Sequence, residues 1–346
     1  MGESSSPLPV FYHPDYERPT QPPGHPECPE RVRAIMDLVK RIGIPIEVKG
    51  PARITTDDLR LVHVDPHIDR VREFGVGFMD PDTFHFDHTY DTALKAAGGV
   101  FGAVSEAYDG KRATFALPRP PGHHAGADYN MGFCYFNNAA MAARKAQREI
   151  EGLGKVAIVD IDAHHGNGTC DIFYSDPTVL YISTHQWGIF PGTGHFRETG
   201  AGKGEGRTVN LPLNGGSGDM TFQRSYEDII EPVLAQFSPD LLIVSLGGDS
   251  HQMDPLTGLS LSTPGYLYLT KALHEFANKN VQGRICYELE GGYHLKALAE
   301  VFAGTMNQTL PEPREMRILY DESREASPDD VRIKEMSEHH SSYWKL

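Results

Sequence analysis

Four consecutive apolar residues, Val156 to Val159, run straight into Asp160, Asp162 and His164 in the stretch VAIVDIDAHHGNG at 156–168. An apolar run without alternation suits a strand buried on both faces, as in a parallel sheet covered by helices. A strand has period 2, so the three polar side chains at its end point the same way. Burying two carboxylates and an imidazole side by side is costly unless a cation or hydrogen-bond partners compensate. This one stretch therefore calls for a doubly covered sheet with a metal site at a strand end. The tight turn His165-Gly166-Asn167-Gly168 follows, not the charged loop of a solvated strand end.

The same rhythm runs along the chain. Strand candidates are Val10–Tyr12, Ile46–Lys49, Thr114–Leu117, Val156–Asp160, Val179–Ser183, Leu241–Leu246 and Ile285–Leu289. Helical patterns lie near 29–42, 92–109, 137–150, 219–236, 264–278 and 295–307. This alternation predicts an α/β fold, a mostly parallel central sheet with helices on both faces. A chain of 346 residues fits one large domain of this kind. Two irregular stretches, the Pro-rich 13–28 and the Gly-rich 186–207, read as functional loops. From about 308 the chain turns polar, as an arm, a surface helix or an oligomer contact. His339 and His340 in it are expected at the surface.

Acids outnumber bases 47 to 32, a formal charge of −15. This argues against direct nucleic-acid binding and allows a cationic substrate such as a lysine-bearing peptide or a polyamine. The four cysteines form no CxxC pair and suggest a reducing compartment. MGESSSPLPV lacks the basic start and apolar core of a signal peptide, and no apolar run approaches the roughly 20 residues of a membrane span. The expectation is a soluble, cytoplasmic protein.

In open parallel sheets ligands bind beyond the carboxyl ends of the strands. Four strand candidates here lead into ionisable groups: Arg119-Pro120-Pro121-Gly122-His123-His124, Asp160 to His164, Gly247-Gly248-Asp249-Ser250-His251 and Glu290-Gly291-Gly292-Tyr293. Asp162, His164 and Asp249 make a plausible three-ligand site, which leaves room for water and substrate as catalytic zinc sites do. Such ligands also accept iron(II) or cobalt(II). His123 and His124 could relay protons, with Asp160 and Asn167 as the partners that set their pKa values apart; the alternative is a surface histidine pair. Tyr293 follows two glycines and is either a stabiliser of a developing oxyanion or a packing residue.

Together the stretches HPECPER (25–31), RPPGHHA (119–125), GFCYFNNAA (132–140), DIDAHHGNGT (160–169), FPGTG (190–194), GGDSHQMDPLTGL (247–259) and LEGGY (289–293) resemble the histone deacetylase superfamily. That superfamily includes acetylpolyamine amidohydrolases and acetoin-utilisation proteins. The resemblance covers roughly residues 10–307. It leaves 1–9 as an N-terminal extension and 308–346 as a polar C-terminal one. It implies a single-domain, arginase-like α/β fold and a zinc-dependent amidohydrolase with one catalytic zinc per chain. By the same resemblance Asp162, His164 and Asp249 are the zinc ligands. His123 and His124 are the tandem base and acid, backed by Asp160 and Asn167, and Tyr293 polarises the acyl carbonyl. Gly132, Phe133, Phe190 and Leu256 would line the acyl tunnel. A structural potassium site would draw on Asp160, Asp162, His164, Ser183 and Thr184. Asp82 is the expected rim aspartate, with Asp80 as competitor.

Asn167 is the class II-like choice where class I members usually carry Asp. Gly248 stands where the family often has Phe, which leaves the local packing open. Leu256, two residues after Asp254, replaces the glutamate frequent in acetylpolyamine hydrolases and points to acyl-lysine peptides. Homo-oligomers are possible. The rivals are an acetylpolyamine deacetylase, an arginase-like ureohydrolase and a catalytically inert binding module. The ureohydrolase would need an aspartate at position 166, which is Gly166.

Overall fold

The computed structural model describes residues 6–346. Its main sheet contains β1 (Leu8–Phe11), β2 (Ile46–Lys49), β5 (Ala113–Ala116), β6 (Val156–Asp160), β7 (Val179–Gln186), β8 (Thr208–Leu213), β9 (Leu241–Leu246) and β10 (Ile285–Leu289). Their order is β2-β1-β5-β10-β9-β6-β7-β8, and every pairing is parallel. A separate two-stranded antiparallel hairpin joins β3 (Gly77–Phe78) and β4 (Phe84–His85). The main helices are α1 (Glu30–Ile42), α4 (Thr89–Gly110), α5 (Asn138–Glu149), α9 (Thr263–Asn280) and α10 (Leu295–Gln308). The single-domain α/β expectation holds.

Alternation within the central strands feeds two cores. Ala157 and Val159 of β6 join Leu242, Val244 and Leu246 of β9 on one face, while Val156 and Ile158 join Leu241 and Ile243 on the other. Each such aliphatic side chain contributes roughly 1.5–3 kcal/mol by leaving water. This two-sided burial is why the strands read as unbroken apolar runs.

Several elements differ from the sequence expectation. The first strand begins at Leu8, so Leu8 and Pro9 belong to the sheet and not to an N-terminal extension. The helix expected at 219–236 is α7 (Asp219–Ser225) and α8 (Glu231–Phe237), joined by a π-helical turn at Tyr226–Ile230. The interruption sits beside Pro232, which has no N–H for a regular helical bond. Strand β8 was not expected, because its sequence TVNLPL carries Asn210 and Pro212 behind a Gly-rich loop. Proline is tolerated there because β8 is an edge strand.

That edge is covered by the C-terminal segment. Helix α11 (Asp330–His340) buries Ile333, Met336 and His340, and Trp344 follows them into the core. Arg332 Nε donates to the Pro212 carbonyl at 2.9 Å, and Trp344 Nε1 to that of Gly206 at 3.0 Å. His340 is therefore not a surface residue: it is fully buried, with Nε2 3.4 Å from the Asn210 carbonyl. Among the described residues no helix is long and apolar enough to cross a membrane.

Candidate active site

β5, β10, β9 and β6 are neighbours at the centre of the sheet, so their carboxyl ends open on one patch. Asp162, His164 and Asp249 meet there, one ligand atom from each lying within 4.8 Å of the others. His164 Nδ1 is 2.9 Å from Asp249 Oδ2 and 3.2 Å from Asp162 Oδ1. The remaining carboxylate capacity is fixed by backbone donors. Ala163 N–H donates to Asp249 Oδ1 at 2.8 Å, and Gly291 N–H to Asp162 Oδ2 at 2.7 Å. A Cβ at Gly291 would sit 2.5 Å from both Asp162 Oδ2 and Asp249 Oδ2, so only glycine leaves this cradle open.

The electrostatics call for a cation. Burial, and then Asp162, push the Asp249 carboxyl up to about 7. Burial opposes a charge on His164, yet Asp162 and Asp249 raise it to about 10. The two carboxylates thus hold a proton on His164, a stand-in for a positive ion. One imidazole nitrogen and two carboxylates suit zinc, iron(II) or cobalt(II).

Beside this triad the His123 and His124 rings lie 4.0 Å apart. His123 Nδ1 is 3.1 Å from Asp160 Oδ2, and His124 Nδ1 is 2.7 Å from Asn167 Oδ1. Both pairings match the sequence expectation. Their consequences differ. Burial disfavours charge on each ring, but Asp162 and Asp160 lift His123 well above the ordinary histidine value. With only neutral Asn167 behind it, His124 is driven well below that value by burial and by the neighbouring His123 and His164.

Gly166 controls the first pair. A Cβ there would overlap Asp160 Oδ2 and lie 3.1 Å from His123 Nδ1. Any side chain at 166, including the aspartate of a two-metal site, displaces the His123–Asp160 contact. Gly166→Ala should cost about 1–3 kcal/mol of stability, as overpacking does, and at least about tenfold in kcat. Thermal unfolding and steady-state turnover of the variant check this.

A cavity of about 230 Å³ opens above the triad, lined by Asp82, His124, Gly132, Phe133, His164, Phe190, Leu256 and Tyr293. All four expected tunnel residues and Asp82 reach it. Gly132 adopts φ +57°, and a Cβ there would overlap the His124 ring. Asp82 Oδ1 accepts from Gly132 N–H at 3.0 Å. Asp80 instead closes a turn, accepting from the Asp82 and Thr83 N–H groups at 2.9 and 2.8 Å. Ser183 pairs with Asp160 across β6 and β7, and Thr184 Oγ1 lies 3.5 Å from the Asp160 carbonyl. The space left by Gly248 is taken by Leu298 of α10, which a Cβ at 248 would meet at 2.6 Å.

Several supporting residues were not singled out from sequence. Tyr181 Oη donates to Asp160 Oδ2 at 3.0 Å. Glu290 Oε2 accepts from the Gly122 and His123 N–H groups at 2.8 and 3.2 Å. Asp254 Oδ2 accepts from Tyr293 N–H at 2.7 Å, and the Arg31 guanidinium lies 5.1 Å from the centre of the Tyr293 ring. Tyr181 and Glu290 continue the period-2 faces of their strands, which was the available signal.

The Pro-rich segment 13–28 is tied to the site by a buried ion cluster. Arg119 Nε donates to Glu27 Oε1 at 2.5 Å and Nη2 to Oε2 at 2.9 Å, and Arg31 Nη1 reaches Oε1 at 3.3 Å. Burial works to raise the Glu27 carboxyl, but Arg119 and Arg31 outweigh it and bring it to about 2. A carboxylate depressed in the fold lends stability that is complete above its unfolded value of 4.5 and is lost as pH falls through about 2. The difference corresponds to about 3 kcal/mol. Acid unfolding followed by circular dichroism should show this loss between those pH values. Glu27→Gln should remove that part of the pH dependence and be less stable at neutral pH, having left two buried guanidiniums without their carboxylate.

Residues 25–309 match the family model described as the histone deacetylase domain. The chain is 39% identical over 312 residues to a protein of Oryza sativa subsp. japonica named histone deacetylase 10, chloroplastic, covering 84% of this chain and 70% of the relative. It is 36% identical over 355 residues to a probable deacetylase of Archaeoglobus fulgidus, covering 97% and 98%. The crystal structure of the HDA15 HD domain superposes with a TM-score of 0.88 at 32% identity, covering 98% of this chain and 96% of that one. These matches define a hydrolase acting on amide bonds. The chain belongs to the histone deacetylase family.

Proposed function

We propose that this deacetylase removes acetyl or other acyl groups from the side-chain amine of acyl-lysine in peptides or proteins, with one zinc ion held by Asp162, His164 and Asp249. The observation that carries the reading is the convergence of that triad, the histidine pair and Tyr293 at the base of one narrow, partly aromatic cavity. Zinc, when bound, supplies Lewis-acid polarisation of the acyl carbonyl and activation of water.

The residues divide the remaining work. Phe133, Phe190 and Gly132 hold the apolar stem of the acyl-lysine and keep solvent out. Neutral His124 faces the cavity and takes the proton as water attacks the carbonyl carbon. It then returns that proton to the leaving amine nitrogen. His123, held by Asp160, keeps positive charge beside the developing oxyanion. The Tyr293 phenol, raised by burial well above its ordinary value, stays protonated and donates to that oxyanion. Asp82, at the cavity wall, grips the substrate backbone.

A structural potassium ion at Asp160, Asp162, His164, Ser183 and Thr184 belongs to the same proposal. So does a reducing, cytoplasmic setting, supported by four cysteines without a disulfide. Leu256 in the cavity wall is apolar where a polycationic substrate would favour a carboxylate, which supports acyl-lysine over acetylpolyamines. The test is a rate panel of acetyl-lysine peptides, longer acyl-lysines and acetylated polyamines, with zinc quantified in the same sample. Acetyl- or acyl-lysine should turn over fastest; preference for an acetylpolyamine would overturn the substrate assignment.

A further inference from the structure

His124 is backed by a chain of hydrogen bonds that extends past Asn167 to the surface. Asn167 Oδ1 faces His124 Nδ1 at 2.7 Å, while Asn167 Nδ2 donates to Tyr129 Oη at 2.9 Å. Tyr129 Oη in turn donates to Asp171 Oδ2 at 2.6 Å. Every donor points the same way, from the imidazole outward, and the chain ends on a carboxylate. Asn167 and Asp171 lie one turn apart on α6 (Asn167–Phe173), and the phenol oxygen bridges them. Gly126 makes room for the arrangement, since a Cβ there would overlap the Tyr129 ring, and its N–H donates to the Tyr129 carbonyl at 3.0 Å.

An amide can face an imidazole nitrogen with either its oxygen or its NH₂, and the two choices demand opposite tautomers. The Tyr129 hydroxyl resolves this. Its proton is committed to Asp171, so toward Asn167 it offers only a lone pair, which the amide must meet with its NH₂. The amide oxygen then faces His124 Nδ1, which must carry the hydrogen. Nε2 is left as the free acceptor. The Met131 sulfur, 3.2 Å from the same Nδ2, reinforces this orientation.

We propose that Tyr129 and Asp171 are positioning residues that, through Asn167, lock His124 in the tautomer with hydrogen on Nδ1 and a free Nε2 for proton transfer. This rests on His124 being the base of the proposed reaction. The aligned chain gives a neutral amide some of the acceptor strength of a carboxylate.

The test pairs kinetics on an acetyl-lysine peptide with heteronuclear NMR of the His124 ring nitrogens, assigned by difference from His124→Gln. Tyr129→Phe should lower kcat about three- to tenfold, the size of one hydrogen bond, with KM within about twofold. It should also turn a single His124 tautomer into a mixture. Asp171→Asn should weaken kcat in the same direction by a smaller factor. In an Asn167→Asp background, which supplies a carboxylate directly and has no amide to orient, Tyr129→Phe should have no further effect on kcat. An unchanged tautomer in Tyr129→Phe, a change in KM alone, or the same kcat loss in the Asn167→Asp background would overturn the proposal. A wild-type enzyme inactive on the peptide would instead refute the acyl-lysine reading, and the NMR comparison would still decide the relay.

Discussion

Tyr293→Phe should lower kcat on an acetyl-lysine peptide by roughly 10²–10³-fold while zinc content and melting temperature stay at wild-type values. The size follows from the role. An oxyanion-hole donor contributes about 2.7–4 kcal/mol to the transition state and little to the ground state. The surroundings are built to aim the phenol. Gly292 takes φ +111°, a backbone that side-chain-bearing residues rarely adopt. The following N–H is fixed by Asp254, and Arg31 Nε donates to the Gly292 carbonyl at 2.7 Å. The aromatic ring of the variant keeps its place against Phe133, 6.2 Å away between centres, so only the O–H is lost. Steady-state kinetics with metal analysis checks this, and near-wild-type kcat would remove Tyr293 from the mechanism.

The second large effect is expected at Asp249. Asp249→Asn keeps an acceptor for the Ala163 N–H and so spares the loop, but it removes a charged ligand from the triad. Zinc should fall well below stoichiometric after dialysis against a weak chelator, and activity should drop at least about 10³-fold, because both water activation and carbonyl polarisation go with the ion. The folded state without zinc should be no less stable than the wild type. Asp249 is a fully buried carboxyl raised by burial and by Asp162, and a neutral amide relieves that repulsion. Full zinc retention in Asp249→Asn would contradict the ligand assignment.

The sheet was legible because its central strands are buried on both faces. Val156–Asp160 and Leu241–Leu246 were placed without error for that reason. The site was legible because four adjacent strands end in ionisable groups, and parallel strands deliver such groups to one edge of the sheet. What escaped depended on contacts between distant elements. Tyr129 carries no signal in its own segment, and becomes meaningful only when α6 brings Asn167 and Asp171 beneath it. Leu298 fills the space above Gly248 from a helix fifty residues further on, visible only in three dimensions. His340 looked solvated because it lies in a polar tail, yet Ile333, Met336, His340 and Trp344 recur at helical spacing, a stripe that was there to be read. Strand β8 was hidden by Pro212, a residue that only an edge strand tolerates.

The central claim is a single-metal amidohydrolase acting on acyl-lysine. Its most direct test is to strip the protein of metal and titrate zinc back while following hydrolysis of an acetyl-lysine peptide. Activity should rise from near zero and saturate at about one zinc per chain, as expected of one three-ligand catalytic site. Saturation only at two ions per chain, or no hydrolysis at full zinc occupancy, would contradict it.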